Sequence, residues 1–306
     1  MPNMKQTKTP MPTLDAAQRR ASFEEVALGY TPALAAEEAA RCLDCKNPKC
    51  VEGCPVNINI PAFIRALKNE DTEGAYAVIS ASSGLPAVCG RVCPQESQCE
   101  SRCVRGIKGE PVSIGALERY AADCHAAAAV QPPKKPEQSG FSVAVVGSGP
   151  ASLSCAADLA KAGHAVTVFE ALHQAGGVLV YGIPQFRLPK DIVKREIASL
   201  EALGVRIETN SVIGKTYTVD DLFAMGYSAV FLGTGAGLPR FLGVPGEALK
   251  GVFSANEFLT RSNLMKAYQS DSHTPILHAR RVCVVGGGNV AMDAARTALR
   301  LGAEDV

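Results

Sequence analysis

The stretch that most constrains this chain is Val143 to Glu170, VAVVGSGPASLSCAADLAKAGHAVTVFE. It opens on an unbroken apolar run, Val143 to Val146, which suits a parallel strand buried on both faces. Gly147, Gly149 and Ser152 follow at the spacing of the dinucleotide-binding fingerprint. The two glycines permit a tight turn and a close approach of backbone to a diphosphate. With Pro150 opening the helix, N–H groups from Ala151 onward would point at its negative charge. Leu153, Ala156, Ala157 and Ala160 share one helical face that can pack closely on a sheet. A second strand, Ala165 to Phe169, ends at Glu170, the acidic residue expected roughly 20 positions on as acceptor for a ribose hydroxyl. A carboxylate there repels a 2′-phosphate, so this site suits FAD or NAD rather than NADP. Ser152 is larger than the Gly or Ala usual at the third position, and is tolerable only if the helix stands slightly off the strand.

With 306 residues there is room for about two domains. The net charge of +1 provides no field to hold nucleic acid or an anionic membrane. The N-terminus, MPNMKQTKTPMPTLD, is polar and lacks the apolar centre of a signal peptide. No apolar run approaches the length of a membrane span. These features read as cytoplasmic, where eleven cysteines are expected as ligands or buried thiols rather than disulfides.

Residues 1–38 read as a helical N-terminal arm, with Phe23, Val26 and Ala27 as a modest apolar stripe and Tyr30-Thr31-Pro32 as a turn that restarts the helix at Ala33. Its expected role is packing on a neighbouring domain or subunit. Chemistry begins in residues 39–130. Cys42, Cys45, Cys50 and Cys54 follow C-x2-C-x4-C-x3-C-Pro, and Cys89, Cys93, Cys99 and Cys103 form a second group. Thiolates suit zinc or iron–sulfur clusters. Zinc sites usually pair two C-x2-C knuckles, and only one occurs here. Runs ending in Cys-Pro instead resemble two-cluster ferredoxins, in which the Cys before Pro ligates the other cluster. Two [4Fe–4S] clusters are therefore expected on the loops of a small helical domain, with helices over Ile60 to Ile79 and from Ile114 to about Ala128, the last N-capped by Ser113. On spacing alone Glu118 is an ordinary exposed helix residue.

Residues 131–140, rich in proline and lysine, read as a linker. Over 141–279 the fingerprint is followed by Gly176-Gly177-Val178-Leu179-Val180-Tyr181-Gly182-Ile183-Pro184-Gln185-Phe186-Arg187, a loop that can pass close to a flat ring, with Arg187 in reach of a diphosphate or a flavin carbonyl. An amphipathic helix over Asp191 to Leu203, a strand over Val205 to Ile207 and a buried strand over Ala229 to Leu232 follow. The last ends in Gly233-Thr234-Gly235, a turn of small residues over which a cofactor could lie. From 280 to 306, Val282 to Val285 leads into Gly286, Gly288, Asn289, Val290 and Ala291, a second fingerprint opening an Ala-rich helix. The residue that would read the ribose of this second site is not in the sequence.

Taken together, RCLDCKNPKCVEGCPV, CGRVCPQESQCESRC, GGVLVYGIPQFRLPK and GGGNVAMDAARTALR resemble the small-subunit family of NADPH-dependent glutamate synthase. Its relatives are the ferredoxin:NADP oxidoreductase large subunit and the N-terminal half of dihydropyrimidine dehydrogenase. The resemblance implies an α/β protein: a small all-helical two-cluster iron–sulfur domain, a doubly wound FAD-binding domain and the start of a second Rossmann-type NAD(P)-binding domain, as in the first two-thirds of a longer protein. Its implied cofactors are two [4Fe–4S] clusters, FAD and NADPH, and its implied partner a large catalytic subunit. One cluster would take Cys42, Cys45, Cys50 and Cys103, the other Cys54, Cys93, Cys99 and Glu118. The implied dinucleotide contacts include Ile213. Glu118, where the pyrimidine enzymes carry Gln, favours glutamate synthase or the ferredoxin-linked enzyme. Gly149-Pro-Ala-Ser-Leu-Ser-Cys155 and Pro184-Gln-Phe-Arg187 look more like the pyrimidine enzyme. A third reading is a non-enzymatic iron–sulfur carrier. Because family members return after the second fingerprint to close over the flavin, these 306 residues alone are expected to hold iron and sulfide but little FAD.

Overall fold

The computed structural model describes residues 2–128 and 135–306; part of the expected linker, 131–134, lies outside them. The chain divides into two compact units. The first comprises Met1–Leu14 and Ala27–Pro132, the second Asp15–Val26 and Pro133–Val306. The N-terminal arm is thus split: its middle, with α1 (Ala16–Ala21), belongs to the second unit. Phe23 to Ala27, expected on a helix, has no helical structure. Instead Phe23 stacks on Tyr268 with ring centres 4.1 Å apart, and Val26 N–H donates to the Phe186 carbonyl at 3.0 Å.

The first unit is helical: α2 (Pro32–Ala40), α3 (Lys49–Glu52), α4 (Ile60–Lys68), α5 (Thr72–Ser80), α6 (Pro86–Val92) and α7 (Ile114–Ala127). Thr31 caps α2 and Pro32 occupies its first turn, where a missing N–H costs nothing. On α4, Ile60, Phe63, Ile64 and Leu67 recur at helical spacing and are all buried. They pack with Ile79 of α5 and Ile114, Leu117 and Ala121 of α7 into one core. Ser113 does not cap α7 with its hydroxyl. That task falls to carboxylates brought in from elsewhere: Glu38 accepts the Ser113 N–H at 2.8 Å, and Glu100 accepts the Gly115 N–H at 3.2 Å.

Glu38 and Arg41 form a fully buried ion pair at 2.6 Å. The guanidinium also donates to the carbonyls of Pro111 (3.0 Å) and Glu110 (2.6 Å), and the carboxylate accepts the Thr9 N–H at 2.6 Å. The pair therefore joins the N-terminal segment around Thr9, α2 and the loop before α7, next to Cys42 in the chain. Leaving one charge of such a pair uncompensated costs about 3–5 kcal/mol. Arg41→Met is expected to lower the unfolding free energy of this unit by that much; denaturation followed by cluster absorbance measures it, and an unmoved midpoint would contradict the assignment.

The second unit is built on a parallel sheet, with β1 (Ser142–Val146), β2 (Ala165–Phe169), β3 (Arg206–Glu208) and β4 (Ala229–Leu232) in the order β3-β2-β1-β4 among the described residues. β1 lies between β2 and β4, with Val143 opposite Val166 on one side and Ala229 on the other. Its four apolar residues Val143–Val146 are all buried. The helices of this unit are α8 (Pro150–Lys161), α9 (Val178–Tyr181), α10 (Lys190–Ala202), α11 (Val219–Ala224), α12 (Ala255–Asn263) and α13 (Asn289–Arg300), besides α1. β4, expected buried, is a half-exposed edge, and Leu232 is 62% exposed. Val282 to Val285 does not join the sheet; it is held by an isolated bridge between Arg281 and Asp305, and Val285 is exposed. An apolar run becomes a strand only where a neighbouring strand accepts its N–H and C=O groups. No described helix is long and apolar enough to cross a membrane.

Candidate cofactor sites

In the first unit the cysteines gather out of chain order. Cys42, Cys45, Cys50 and Cys103 line one pocket, together with apolar Pro48, Ile60, Ile64 and Ile114 and basic Lys49, Arg102 and Arg105. Burial pushes the Cys50 thiol up to about 12, and the nearby Cys103 and Cys42 thiols add to the rise. Cys42 is likewise raised, by burial and then by Cys103 and Cys45. Binding to iron would favour the thiolate form of thiols raised in this way.

The remaining cysteines meet at α7. A Cβ on Gly90 would lie 2.5 Å from the Arg119 nitrogen, so only glycine lets α6 approach α7 this closely. That contact brings Cys89 close to Glu118. Glu118 is buried, at 6% exposure, contrary to the exposed position that spacing alone suggests. Burial pushes Cys99 up to about 12, with Glu100, Glu118 and Cys54 adding to it. The hydrogen bond from Cys89 draws Cys93 down to about 7, while Cys89 itself is held protonated by that bond, by burial and by Glu118. Cys89 also sits 3.9 Å from the Ser83 hydroxyl. Among the described residues no three such side chains converge tightly enough to grip a single metal ion.

In the second unit the fingerprint lies at the carboxyl ends of the strands, where β1 is flanked by β2 and β4. In an open parallel sheet this is the crevice that binds ligands. Gly147, in the left-handed region at φ 91°, passes so close to β4 that a Cβ there would lie 2.5 Å from the Gly233 carbonyl. A Cβ on Gly149 would meet nothing within 4 Å. That open side, at the uncapped N-terminus of α8 beside Pro150 and Ala151, is where a diphosphate fits. Gly176 and Gly177 cross this turn: Gly176 N–H donates to the Ser148 hydroxyl at 2.9 Å.

Glu170 is buried at the end of β2. One carboxylate oxygen accepts the Ser148 N–H at 2.9 Å and the Ser148 hydroxyl; the other accepts the Leu172 N–H at 2.7 Å. The latter oxygen keeps a lone pair for a ribose hydroxyl. Ser148, an unremarked residue between two glycines, is thus the knot joining the fingerprint turn, β2 and the Gly176 loop. Ile213 is half-buried against Ala144, Val146, Phe169 and Leu222, in a turn beside the Glu170 carbonyl. Thr234 and Gly235 are exposed past the end of β4.

Ser152 does not need the helix to stand off. It is fully buried, and its hydroxyl donates to the Gly233 carbonyl at 3.2 Å. The space comes from the partner: a Cβ on Gly233 would lie 2.1 Å from the Ser152 hydroxyl oxygen. Gly233→Ala is accordingly expected to destabilise the second unit by about 1–3 kcal/mol, and Ser152→Ala in the same chain to recover part of it. Thermal melts of the two variants decide this; equal losses would mean that the contact is not the cause.

Arg187 is directed at the protein, its Nη1 donating to Asp293 of α13 at 2.6 Å. Gly286, Gly288, Asn289, Val290 and Ala291 do form a glycine turn into α13, and Gly288 is its N-cap without a side-chain cap. That turn is exposed and suits a second dinucleotide. Asp293 was not legible as a site residue. Its only signal was an acid in an otherwise small and apolar helical face.

An α/β sheet with two dinucleotide turns, in a chain that also has a helical unit gathering thiols, defines a flavin- and nicotinamide-dependent oxidoreductase carrying iron–sulfur clusters. Residues 141–306 match the pyridine nucleotide-disulphide oxidoreductase family, and residues 19–130 the dihydropyrimidine dehydrogenase domain II, 4Fe-4S cluster. The chain belongs to the pyridine nucleotide-disulphide oxidoreductase family, in the group that contains the small chains of NADPH glutamate synthase. It is 36% identical to the glutamate synthase [NADPH] small chain of Azospirillum brasilense over 300 residues, covering 95% of this chain and 61% of that protein. It is 40% identical to the NADP(+)-dependent formate dehydrogenase subunit beta of Moorella thermoacetica, over 84% of this chain and 38% of that one. It is 36% identical to subunit PreT of the NAD-dependent dihydropyrimidine dehydrogenase of Salmonella typhimurium, over 93% of this chain and 67% of that one. The cofactors of the chain are [4Fe–4S] clusters, FAD and a nicotinamide nucleotide.

Proposed function

We propose that this chain takes hydride from NADPH and passes single electrons through FAD and two [4Fe–4S] clusters to a partner subunit, as the small chain of a glutamate synthase. FAD supplies the conversion between two-electron and one-electron steps. The chain's own residues bind and orient. Gly147 to Ser152, Gly176, Gly177, Glu170, Arg187 and Gly233 to Gly235 hold the flavin nucleotide, with Ile213 beside it. The turn from Gly286 to Ala291 holds the nicotinamide nucleotide. Cys42, Cys45, Cys50 and Cys103 hold one cluster; Cys54, Cys93, Cys99 and Glu118 hold the other, with Cys89 as a protonated neighbour of Cys93. No residue acts as an acid–base catalyst.

The observation that carries this reading is the gathering of Cys103 with Cys42, Cys45 and Cys50 in one pocket, across more than half of the helical unit. Likeness to glutamate synthase small chains over 95% of this chain supports the choice of partner. The test is reconstitution at native length with a glutamate synthase large chain. NADPH oxidation is expected to depend on glutamine and 2-oxoglutarate together. The likeness to PreT favours a second reading, a pyrimidine-reducing subunit. Under it NADH oxidation would follow an added pyrimidine, and glutamine with 2-oxoglutarate would have no effect.

A further inference from the structure

The Gly176–Pro189 loop and α13 are tied together by side chains from both. Phe186 lies beneath the Arg300 guanidinium, 3.7 Å from its ring centre. Lys190, buried, turns its ammonium back onto the carbonyls of Leu179 (2.9 Å), Leu188 (3.2 Å) and Ile183, which holds the loop in its curled form. Arg187 crosses to Asp293.

The Arg187–Asp293 pair is asymmetric. The Asp293 side chain is 5% exposed and that of Arg187 30%. Asp293 Oδ2 takes the guanidinium, while its buried Oδ1 has no hydrogen-bond partner. Burial raises the Asp293 pKa and Arg187 opposes that rise, with Arg296 and Lys190 behind it. A carboxylate so placed depends on its guanidinium. In return it confines a long side chain to one arrangement, in which Arg187 spends one N–H on Asp293 and keeps the rest of its donor fork free. A pre-set arginine loses less freedom when it meets a ligand.

We propose that Asp293 is a positioning residue that holds Arg187 for the flavin nucleotide, so that FAD affinity depends on a side chain of the nicotinamide-binding helix. This rests on the reading of Arg187 as a contact to the flavin or its diphosphate. The pair joins the loop over one dinucleotide turn to the helix that begins at the other.

The test measures FAD dissociation constants at native length for Asp293→Asn, Arg187→Met and the double variant Arg187→Met/Asp293→Leu, with iron content and melting temperature as checks on folding. Arg187→Met and Asp293→Asn are each expected to weaken FAD by about tenfold or more. The double variant should bind no more weakly than Arg187→Met alone, because Asp293 acts only through Arg187. Parental affinity in Asp293→Asn beside a weakened Arg187→Met would overturn the proposal. So would recovery of parental affinity in the double variant, which would make the pair a packing contact. Parental affinity in Arg187→Met would instead remove the reading of Arg187 on which the proposal rests. If Asp293→Asn does not fold, Asp293→Glu, which keeps the charge and displaces it, takes its place with the same outcomes.

Discussion

Cys50→Ala is expected to remove about one whole cluster and leave the other, lowering iron by about half. Cys50 shares its pocket with Cys42, Cys45 and Cys103, so a cubane there loses one of its four corners. Glu118→Ala is expected to do the same to the second cluster. Cys89→Ser should leave iron near the parental level, since Cys89 donates to Cys93 and lies beside Ser83 rather than completing a set. Iron and sulfide analysis of the three variants is sufficient. If Cys89→Ser loses a cluster while Glu118→Ala loses none, two all-cysteine sites replace the proposed ones.

Glu170→Ala is expected to weaken FAD by one to two orders of magnitude without changing iron. The carboxylate has a lone pair for a ribose hydroxyl, and a hydrogen bond to a charged acceptor contributes roughly 1.5–3 kcal/mol. It also fixes Ser148, which in turn accepts the Gly176 N–H, so its removal loosens the loop that crosses the fingerprint turn. Flavin fluorescence titration measures the loss. Affinity equal to the parent would contradict the placement of the ribose at Glu170. Glu170→Gln keeps an acceptor and should fall between the two.

The sequence was most legible where structure is local. β1, α8 and β2 follow from an apolar run, a glycine turn and a small-residue helical face within one stretch, and each stands where those patterns put it. β4 was equally apolar yet lies at an edge, because burial depends on what covers a strand and not on the strand. Val282 to Val285 has strand composition but only an isolated bridge for a partner. Phe23, Val26 and Ala27 suggested a helix stripe; instead the Phe23 ring stacks on Tyr268 and the Val26 N–H bonds the Phe186 carbonyl, both distant in sequence.

The site was legible in the same measure. The glycine turns and the thiols were plain. The grouping of Cys103 with Cys42, Cys45 and Cys50 was not, since spacing favours consecutive sets, and only the resemblance pointed across them. Glu118 looked exposed because a helix alone does not reveal that α6, thinned at Gly90, will cover it. Ser148, Arg41 and Asp293 went unread, each acting through partners far along the chain, for Arg41 the carbonyls of Glu110 and Pro111.

The central claim is that electrons reach the clusters through the flavin. Electron paramagnetic resonance of the protein at native length, frozen after anaerobic addition of NADPH, tests it most directly. With FAD bound, a reduced-cluster signal is expected; with FAD removed it should be absent, although a chemical reductant still produces it. Cluster reduction by NADPH without FAD, or a bleached flavin beside clusters that stay oxidised, would contradict the account.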